Sequence, residues 1–142
     1  MAIPANATSF DNLRASSRSR MITHWIATAV IGAEGVVGGI LALVRWPPYV
    51  GVIMHLGYPA YLMAIIGFWY IAAGLVILVP RFPRAKEWAY ARLFVNYAGA
   101  AASHLTVGDG AGALVAPVFF TTFLIASWAL RPPARRLAGS AL

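Results

Sequence analysis

The chain alternates between long apolar runs and short polar breaks. Four predominantly apolar runs cover residues 21–44, 58–79, 88–107 and 111–130. At about 1.5 Å per helical residue, each run is long enough to cross a hydrocarbon core about 30 Å thick. The breaks contain prolines, glycines and charged residues, which end helices. The pattern predicts an all-α integral membrane four-helix bundle.

Besides the short loops 80–87 and 108–110, three segments outside these runs are distinctive. Residues 1–20 are polar and are interpreted as a flexible N-terminal segment or a short interfacial helix. Residues 49–57 are moderately apolar but too short to span, so we expect a short interfacial or re-entrant segment on the outer face between the first two spans. Residues 131–142 form a basic C-terminal tail.

The composition supports lipid as the solvent of this chain. Of its 142 residues, 61% are apolar and 11% are charged, which is too few charges to cover the surface of a soluble domain. The net charge is +7, but the basic residues cluster between apolar runs, so nucleic acid is not an expected partner. The absence of cysteine excludes dithiol redox chemistry, thiolate metal sites and covalent c-type haem.

The basic residues also predict an orientation. Nine of them lie in the N-terminal segment, in the loop between the second and third spans, and in the tail: Arg14, Arg18, Arg20, Arg81, Arg84, Lys86, Arg131, Arg135 and Arg136. Arg45 alone lies on the other side. By the positive-inside rule, we expect a multi-pass protein of the bacterial inner membrane with both termini in the cytoplasm.

Glu34 is the most informative side chain in the sequence. It lies near the middle of the first predicted span. A charged residue at the centre of a bilayer costs about 2.5–3.5 kcal/mol on insertion scales, so Glu34 must face the bundle and be protonated or have a partner. A functional role and a purely structural hydrogen bond between helices both remain open.

The third predicted span offers partners for Glu34. One helical face carries Arg92, Asn96, Gly99, Ser103 and Val107. Asn96 is level with Glu34, whereas Arg92 is about one turn nearer the cytoplasm. The long side chain of Arg92 could therefore reach Glu34 or extend to the lipid headgroups.

Further polar side chains are predicted at a similar depth. They are Tyr70, which follows Trp69, and Tyr97, Thr121 and Thr122. With Glu34 and Asn96 they could form a polar layer inside the bundle, although ordinary hydrogen bonding between helices would explain the threonines equally well.

His55, His104 and Asp109 are predicted to cluster toward the outer face. Such groups could relay protons, bind a metal or haem, or form interfacial hydrogen bonds. Because the chain has no HExxH motif and these residues do not pair on one helix, no metal site is predicted.

Small residues within the spans favour close helix packing. Glycines recur at positions 32, 35, 38 and 39 in the first span and at 67 and 74 in the second. Small residues let membrane helices approach closely, so the pattern favours a compact bundle or a homo-oligomer.

Four stretches of the chain resemble the DoxX-like family. They read HLGYPAYL at 55–62, VPRFPRAKEWAYA at 79–91, GAAASHL at 99–105 and SWALRPP at 127–133. The resemblance implies a four-helix membrane bundle. The broader DoxX/DoxD grouping is linked to membrane redox systems, including a thiosulfate:quinone oxidoreductase subunit. The resemblance therefore implies a redox-associated or quinone-interacting accessory subunit that meets a redox partner.

The residues themselves support an alternative function, that of an enzyme. A small membrane hydrolase, isomerase or cyclase could act on a hydrophobic metabolite with Glu34 as general acid or base. Arg92, Asn96 and Tyr97 would then complete the catalytic group. Contacts to the ligand would come from Trp69, Tyr70, Ser103, His104 and Thr121. A proton path through an oligomer and a purely structural protein are further alternatives.

Overall fold

The computed structural model describes residues 5–136, and the description of side chains begins at residue 13. The first four residues of the predicted N-terminal segment and the last six of the predicted tail lie outside this range. Within it, the chain is all-helical and has no strand, as predicted. The elements are α1 (Ala5–Leu43), α2 (Pro47–His55), α3 (Leu62–Leu78), α4 (Pro83–Thr106), α5 (Ala111–Ala129) and a 3-10 turn (Pro133–Arg135).

Two of these helices have both the length and the apolar character needed to cross a membrane. They are Leu13–Leu43 within α1 and Ala111–Ala129, whereas α3 is apolar but shorter. Large apolar side chains are exposed on the long helices, including Phe68, Trp88 and Val115. A soluble protein of this size rarely exposes so much contiguous apolar surface. The architecture is that of a helical membrane protein.

The four long helices pack in a ring. α1 contacts α3 and α5, and α4 contacts the same two helices from the opposite side. The core between them is apolar and aromatic, with Ile31, Ile77, Leu93 and Leu124 fully or almost fully buried. The short helix α2 packs against α1 at the end of the ring where α1 finishes, in the segment predicted to be interfacial.

Local sequence explains where the helices begin and end. α4 starts with Pro83 in its first turn, a position where the missing N–H of proline costs no hydrogen bond. It ends before Gly108, which adopts a positive φ of 80°. Glycine adopts this conformation without strain because it has no Cβ. The tight connection to α5 depends on this residue.

The contact between α1 and α3 brings backbone against backbone. A Cβ built on Gly35 would lie 2.9 Å from the Cα of Gly74, and one built on Gly39 would lie 2.8 Å from the carbonyl oxygen of Gly67. Both distances are shorter than ordinary van der Waals contacts, and the opposing atoms are backbone, which cannot rotate away. The small residues at this interface are therefore required by the packing, as their pattern predicted.

We expect Gly35→Val to destabilise the protein by about 1–3 kcal/mol, because the added methyl groups must push α1 and α3 apart. Thermal unfolding of the protein in detergent should show a lower midpoint. Gly99→Ala is the matched control, since a Cβ on Gly99 meets no atom within 4 Å. This variant should be neutral or slightly more stable. Equal losses in both variants would contradict the proposed contact.

Candidate functional site

Glu34 lies in a polar cluster between α1, α2 and α4. The hydroxyl of Tyr97 donates a hydrogen bond of 2.5 Å to Oε2 of Glu34, and Tyr97 itself is buried. Gly38, one turn further along α1, makes room for the carboxyl group. A Cβ there would lie 3.0 Å from Oε1 of Glu34 and 3.6 Å from the hydroxyl of Tyr49. Glu34 therefore has a phenol partner and faces the bundle rather than lipid.

A second polar pair lies beside the first. Nδ2 of Asn96 donates to the hydroxyl of Tyr70 at 2.6 Å. The rings of Tyr70 and Tyr97 have centroids 6.1 Å apart, and Tyr97 stacks on Phe120 at 5.6 Å. The structure thus brings the Glu34–Tyr97 and Asn96–Tyr70 pairs together. The hydrogen-bond partner of Glu34 is Tyr97, whereas Asn96, which the sequence placed level with it, bonds to Tyr70.

Arg92 interacts with an aromatic ring of α3. Its guanidinium carbon lies 5.8 Å from the ring centroid of Trp69, a geometry typical of cation–π contacts. Among the residues that the structure describes, no ion pair joins Arg92 to Glu34. Arg92 therefore belongs to the α3–α4 surface, separate from the carboxyl group.

A groove runs along the α3–α4 surface. It consists of two cavities of about 560 and 370 Å³ that share Ile65 and Arg92 in their walls. The larger cavity is lined by apolar residues and by Trp69 and Trp88. The smaller one extends under α2 and includes Asn96. The groove is apolar along most of its length, with Arg92 where the cavities meet.

Two further polar side chains lie at the α2 end of the groove. The hydroxyls of Tyr58 and Ser103 are 2.8 Å apart, and Ser103 also donates to the carbonyl oxygen of Gly99 at 2.8 Å. Thr121, in contrast, donates to the carbonyl oxygen of Pro117 within its own helix at 2.7 Å. Of the predicted ligand contacts, Trp69 and Ser103 line the groove, whereas the hydroxyl of Thr121 is used by α5.

The predicted outer-face cluster is assembled around Asp109. Nε2 of His55 lies 2.8 Å from one carboxylate oxygen of Asp109, and Nδ1 of His104 lies 2.7 Å from the other. Hydrogen bonds from His104 and His55 hold the pKa of Asp109 below its usual value. No group of three potential ligands suited to a metal ion occurs among the side chains described from residue 13 onward. This bridge ties the end of α2 to the turn between α4 and α5.

A further buried polar group, which sequence reasoning missed, lies at the end of the ring opposite Asp109. His24 and Thr28 of α1 are fully buried there against Ser127 of α5 and Tyr90 of α4. Nδ1 of His24 donates to the carbonyl oxygen of Ser127 at 2.9 Å, and the hydroxyls of Thr28 and Tyr90 lie 2.7 and 2.8 Å from Oγ of Ser127. The i, i+4 spacing of His24 and Thr28 was the available signal.

Three basic residues at this end, which we call the basic end, are buried: Lys86, Arg131 and Arg135. Nζ of Lys86 donates to the carbonyl oxygens of Val76 and Ile77 at 2.6 and 2.8 Å, and also to that of Val79. Burial, together with the charges of Arg135 and Arg131, lowers the pKa of Lys86 to about 8. Lys86 thus caps the last turn of α3, where carbonyl groups have no partner within the helix.

Two arginines complete the basic end. Arg131 forms an ion pair of 2.7 Å with Glu87 and lies over the rings of Tyr90 and Trp128. Burial alone would raise the pKa of Glu87, but hydrogen bonds from Arg131 and Trp128 outweigh it and lower that pKa. Arg135 donates long hydrogen bonds of 3.4 Å to the last carbonyls of α3. These residues connect α3, α4 and the segment after α5.

The fold and these sites define a small all-α membrane protein with hydrogen-bonded polar groups inside an apolar core and an apolar groove on one face. The chain belongs to the DoxX-like family, whose model matches residues 26–127. This confirms the resemblance seen in the sequence. No curated protein and no solved structure gave a significant match.

We expect Lys86→Met to lower the free energy of unfolding by about 1–3 kcal/mol for each carbonyl group left without a partner. Arg84→Met is the matched control, because it removes one positive charge from an exposed side chain in the same turn of α4. Thermal unfolding in detergent would compare the two. The capping role would be refuted if Lys86→Met were as stable as the control.

Proposed function

We propose that this DoxX-like protein binds a membrane quinone in the α3–α4 groove and acts as an accessory subunit of a membrane redox system. The observation that carries the proposal is the groove itself. It is apolar along most of its length and has Arg92 and Asn96 as hydrogen-bond donors in its wall. Small-ligand sites commonly combine apolar walls with a few polar groups that fix orientation.

The chemistry of the groove suits a quinone headgroup. A quinone presents two carbonyl oxygens, which accept hydrogen bonds, on a flat apolar ring. Arg92 offers a planar set of N–H donors and Asn96 offers an amide. The indole rings of Trp69 and Trp88 provide flat apolar surface beside Arg92. The isoprenoid tail would extend along the apolar walls toward the exposed helix surface.

Reduction of a quinone to a quinol requires two electrons and two protons. The electrons would come from a redox partner subunit, since a cysteine-free chain offers no thiol donor of its own. Protons would be held near the groove by the Glu34–Tyr97 pair, which lies behind Asn96 and Tyr70. In this proposal the chain positions the quinone and buffers protons, and its partner carries the redox centre.

The proposal includes an orientation. The nine basic residues on one side of the predicted spans favour an inner-membrane protein with both termini in the cytoplasm. The basic end would then face the cytoplasm, and the His55–Asp109–His104 bridge would face the periplasm. The smaller cavity of the groove lies toward that bridge.

Titration of the purified protein in zwitterionic nanodiscs with a short-chain quinone tests the proposal. Trp69 and Trp88 line the groove, so binding should quench tryptophan fluorescence. We expect Arg92→Leu with Asn96→Leu to weaken binding roughly 10–100-fold, because hydrogen bonds to a charged donor contribute about 1.5–3 kcal/mol. Arg81→Leu, on an exposed loop, should bind as the unaltered protein does. Absence of saturable quenching in the unaltered protein would overturn the proposal.

A second candidate is a membrane enzyme that acts on a hydrophobic metabolite. The 2.5 Å hydrogen bond between Tyr97 and Glu34 favours it, since a carboxyl group bonded to a phenol can give or accept a proton. Glu34 would act as general acid or base. Arg92 and Asn96 would orient a substrate that passes from the groove toward Glu34, behind Asn96 and Tyr70. Hydrolysis, isomerisation and cyclisation all fit this arrangement.

Glu34→Gln separates the two candidates. Glu34 does not line the groove, so quinone affinity should stay within about threefold of the unaltered value. If the protein is an enzyme, turnover of a hydrophobic metabolite, followed by mass spectrometry, should fall about 10²–10⁴-fold in this variant. Full turnover in Glu34→Gln would remove the acid–base role. Loss of quinone binding in Glu34→Gln would contradict the groove as the binding site.

A further inference from the structure

The basic end holds a separate cavity, on the other side of the ring from the quinone groove. It has a volume of about 450 Å³ and forms where α1 passes the segment that follows α5. This volume is within the range of about 300–1,000 Å³ typical of small-ligand sites. Its walls include Ser17, Arg20, Met21, Leu130, Arg131 and Arg136. Neither candidate function described above uses this cavity.

We propose that this cavity binds the phosphate headgroup of an anionic phospholipid. Three arginines converge on it, from α1 and from the segment after α5. Glu87 offsets one of these charges through its ion pair with Arg131. The charges of Arg20 and Arg136 remain to attract an anion. Arginine is well suited to this role because its planar N–H donors match the geometry of a phosphate.

Two of the arginines are held in place before any ligand binds. Nε of Arg131 donates to the carbonyl oxygen of Trp128, and Nε of Arg136 donates to that of Arg131, at 2.9 and 2.8 Å. Arg131 is also stacked over Tyr90 and Trp128. Because these side chains are already ordered, binding an anion costs less conformational entropy. Arg20 is exposed and supplies the third contact.

The location favours a lipid over free phosphate in solution. Arg20 is followed by Met21, where the apolar run of α1 begins, and Leu130 follows the last residue of α5. Exposed apolar side chains continue from the cavity along α1, including Met21, Ile22 and Trp25. A phospholipid could place its phosphate among the arginines and its acyl chains along this surface. Basic pockets between membrane helices on the cytoplasmic side bind anionic headgroups in this way.

Native mass spectrometry of the purified protein tests the proposal. The protein would be released from nanodiscs that contain phosphatidylglycerol and phosphatidylcholine in equal amounts. We expect it to retain phosphatidylglycerol at least fivefold over phosphatidylcholine. Arg20→Gln with Arg136→Gln should abolish this preference, and Arg20→Lys with Arg136→Lys should retain most of it. Equal retention of the two lipids by the unaltered protein would overturn the proposal.

Arg81→Gln with Arg84→Gln is the matched control. It removes the same charge from exposed side chains at the basic end but outside the cavity, so the preference should persist. An equal loss in this control would show general attraction by surface charge and would overturn the proposal. Arg20→Gln alone, at an exposed position, repeats the test without disturbing the contacts of Arg136.

A competition experiment distinguishes the source of the phosphate. Inorganic phosphate should leave lipid retention unchanged relative to sodium chloride of the same ionic strength. Specific displacement by inorganic phosphate would identify a site for free anions instead of lipid. Added phosphatidylglycerol should also raise the thermal unfolding midpoint of the protein in detergent. An equal rise with phosphatidylcholine would contradict the proposal.

Discussion

The backbone contact between α1 and α3 is the constraint on which the rest of the structure depends. Glycines on both helices allow carbonyl and Cα atoms to meet directly, at positions such as Gly35 against Gly74. In an apolar solvent, helices gain little from burying apolar surface, so close van der Waals packing must hold them together. The same close approach fixes the rotation of α1. Glu34, the neighbour of Gly35, is thereby directed to Tyr97 of α4 instead of lipid.

Polar side chains form hydrogen bonds near the middle of the ring and at its basic end, and their partners differ between the two places. Near the middle, Glu34 and Asn96 each bond to a tyrosine, which satisfies them without an ion pair. At the basic end, Lys86 and Arg135 bond to carbonyl groups at the end of α3. An unsatisfied carbonyl within a bilayer costs several kcal/mol. Lys86 and Arg135 therefore complete the hydrogen bonding of the last turn of α3.

The two binding proposals use opposite sides of one scaffold. The α3–α4 groove is apolar with Arg92 and Asn96 in its wall, whereas the cavity beside α1 is basic with short apolar walls. The proposals assign them different occupants, a quinone ring and a lipid phosphate. Membership of the DoxX-like family establishes the kind of protein but not its reaction. The polar pairs behind the groove give the quinone proposal its link to proton chemistry.

The sequence by itself determined the helical class, the small-residue packing and the need for Glu34 to face the bundle, because period, composition and the cost of charge in lipid are properties of local sequence. Its motifs identified the family. Only the tertiary structure decided which side chains meet. Tyr97, not Asn96, bonds to Glu34, and Arg92 stacks on Trp69. Depth along a helix can be counted from sequence, but the rotation of one helix against another cannot. For α1 and α3, that rotation depends on how their glycines pack.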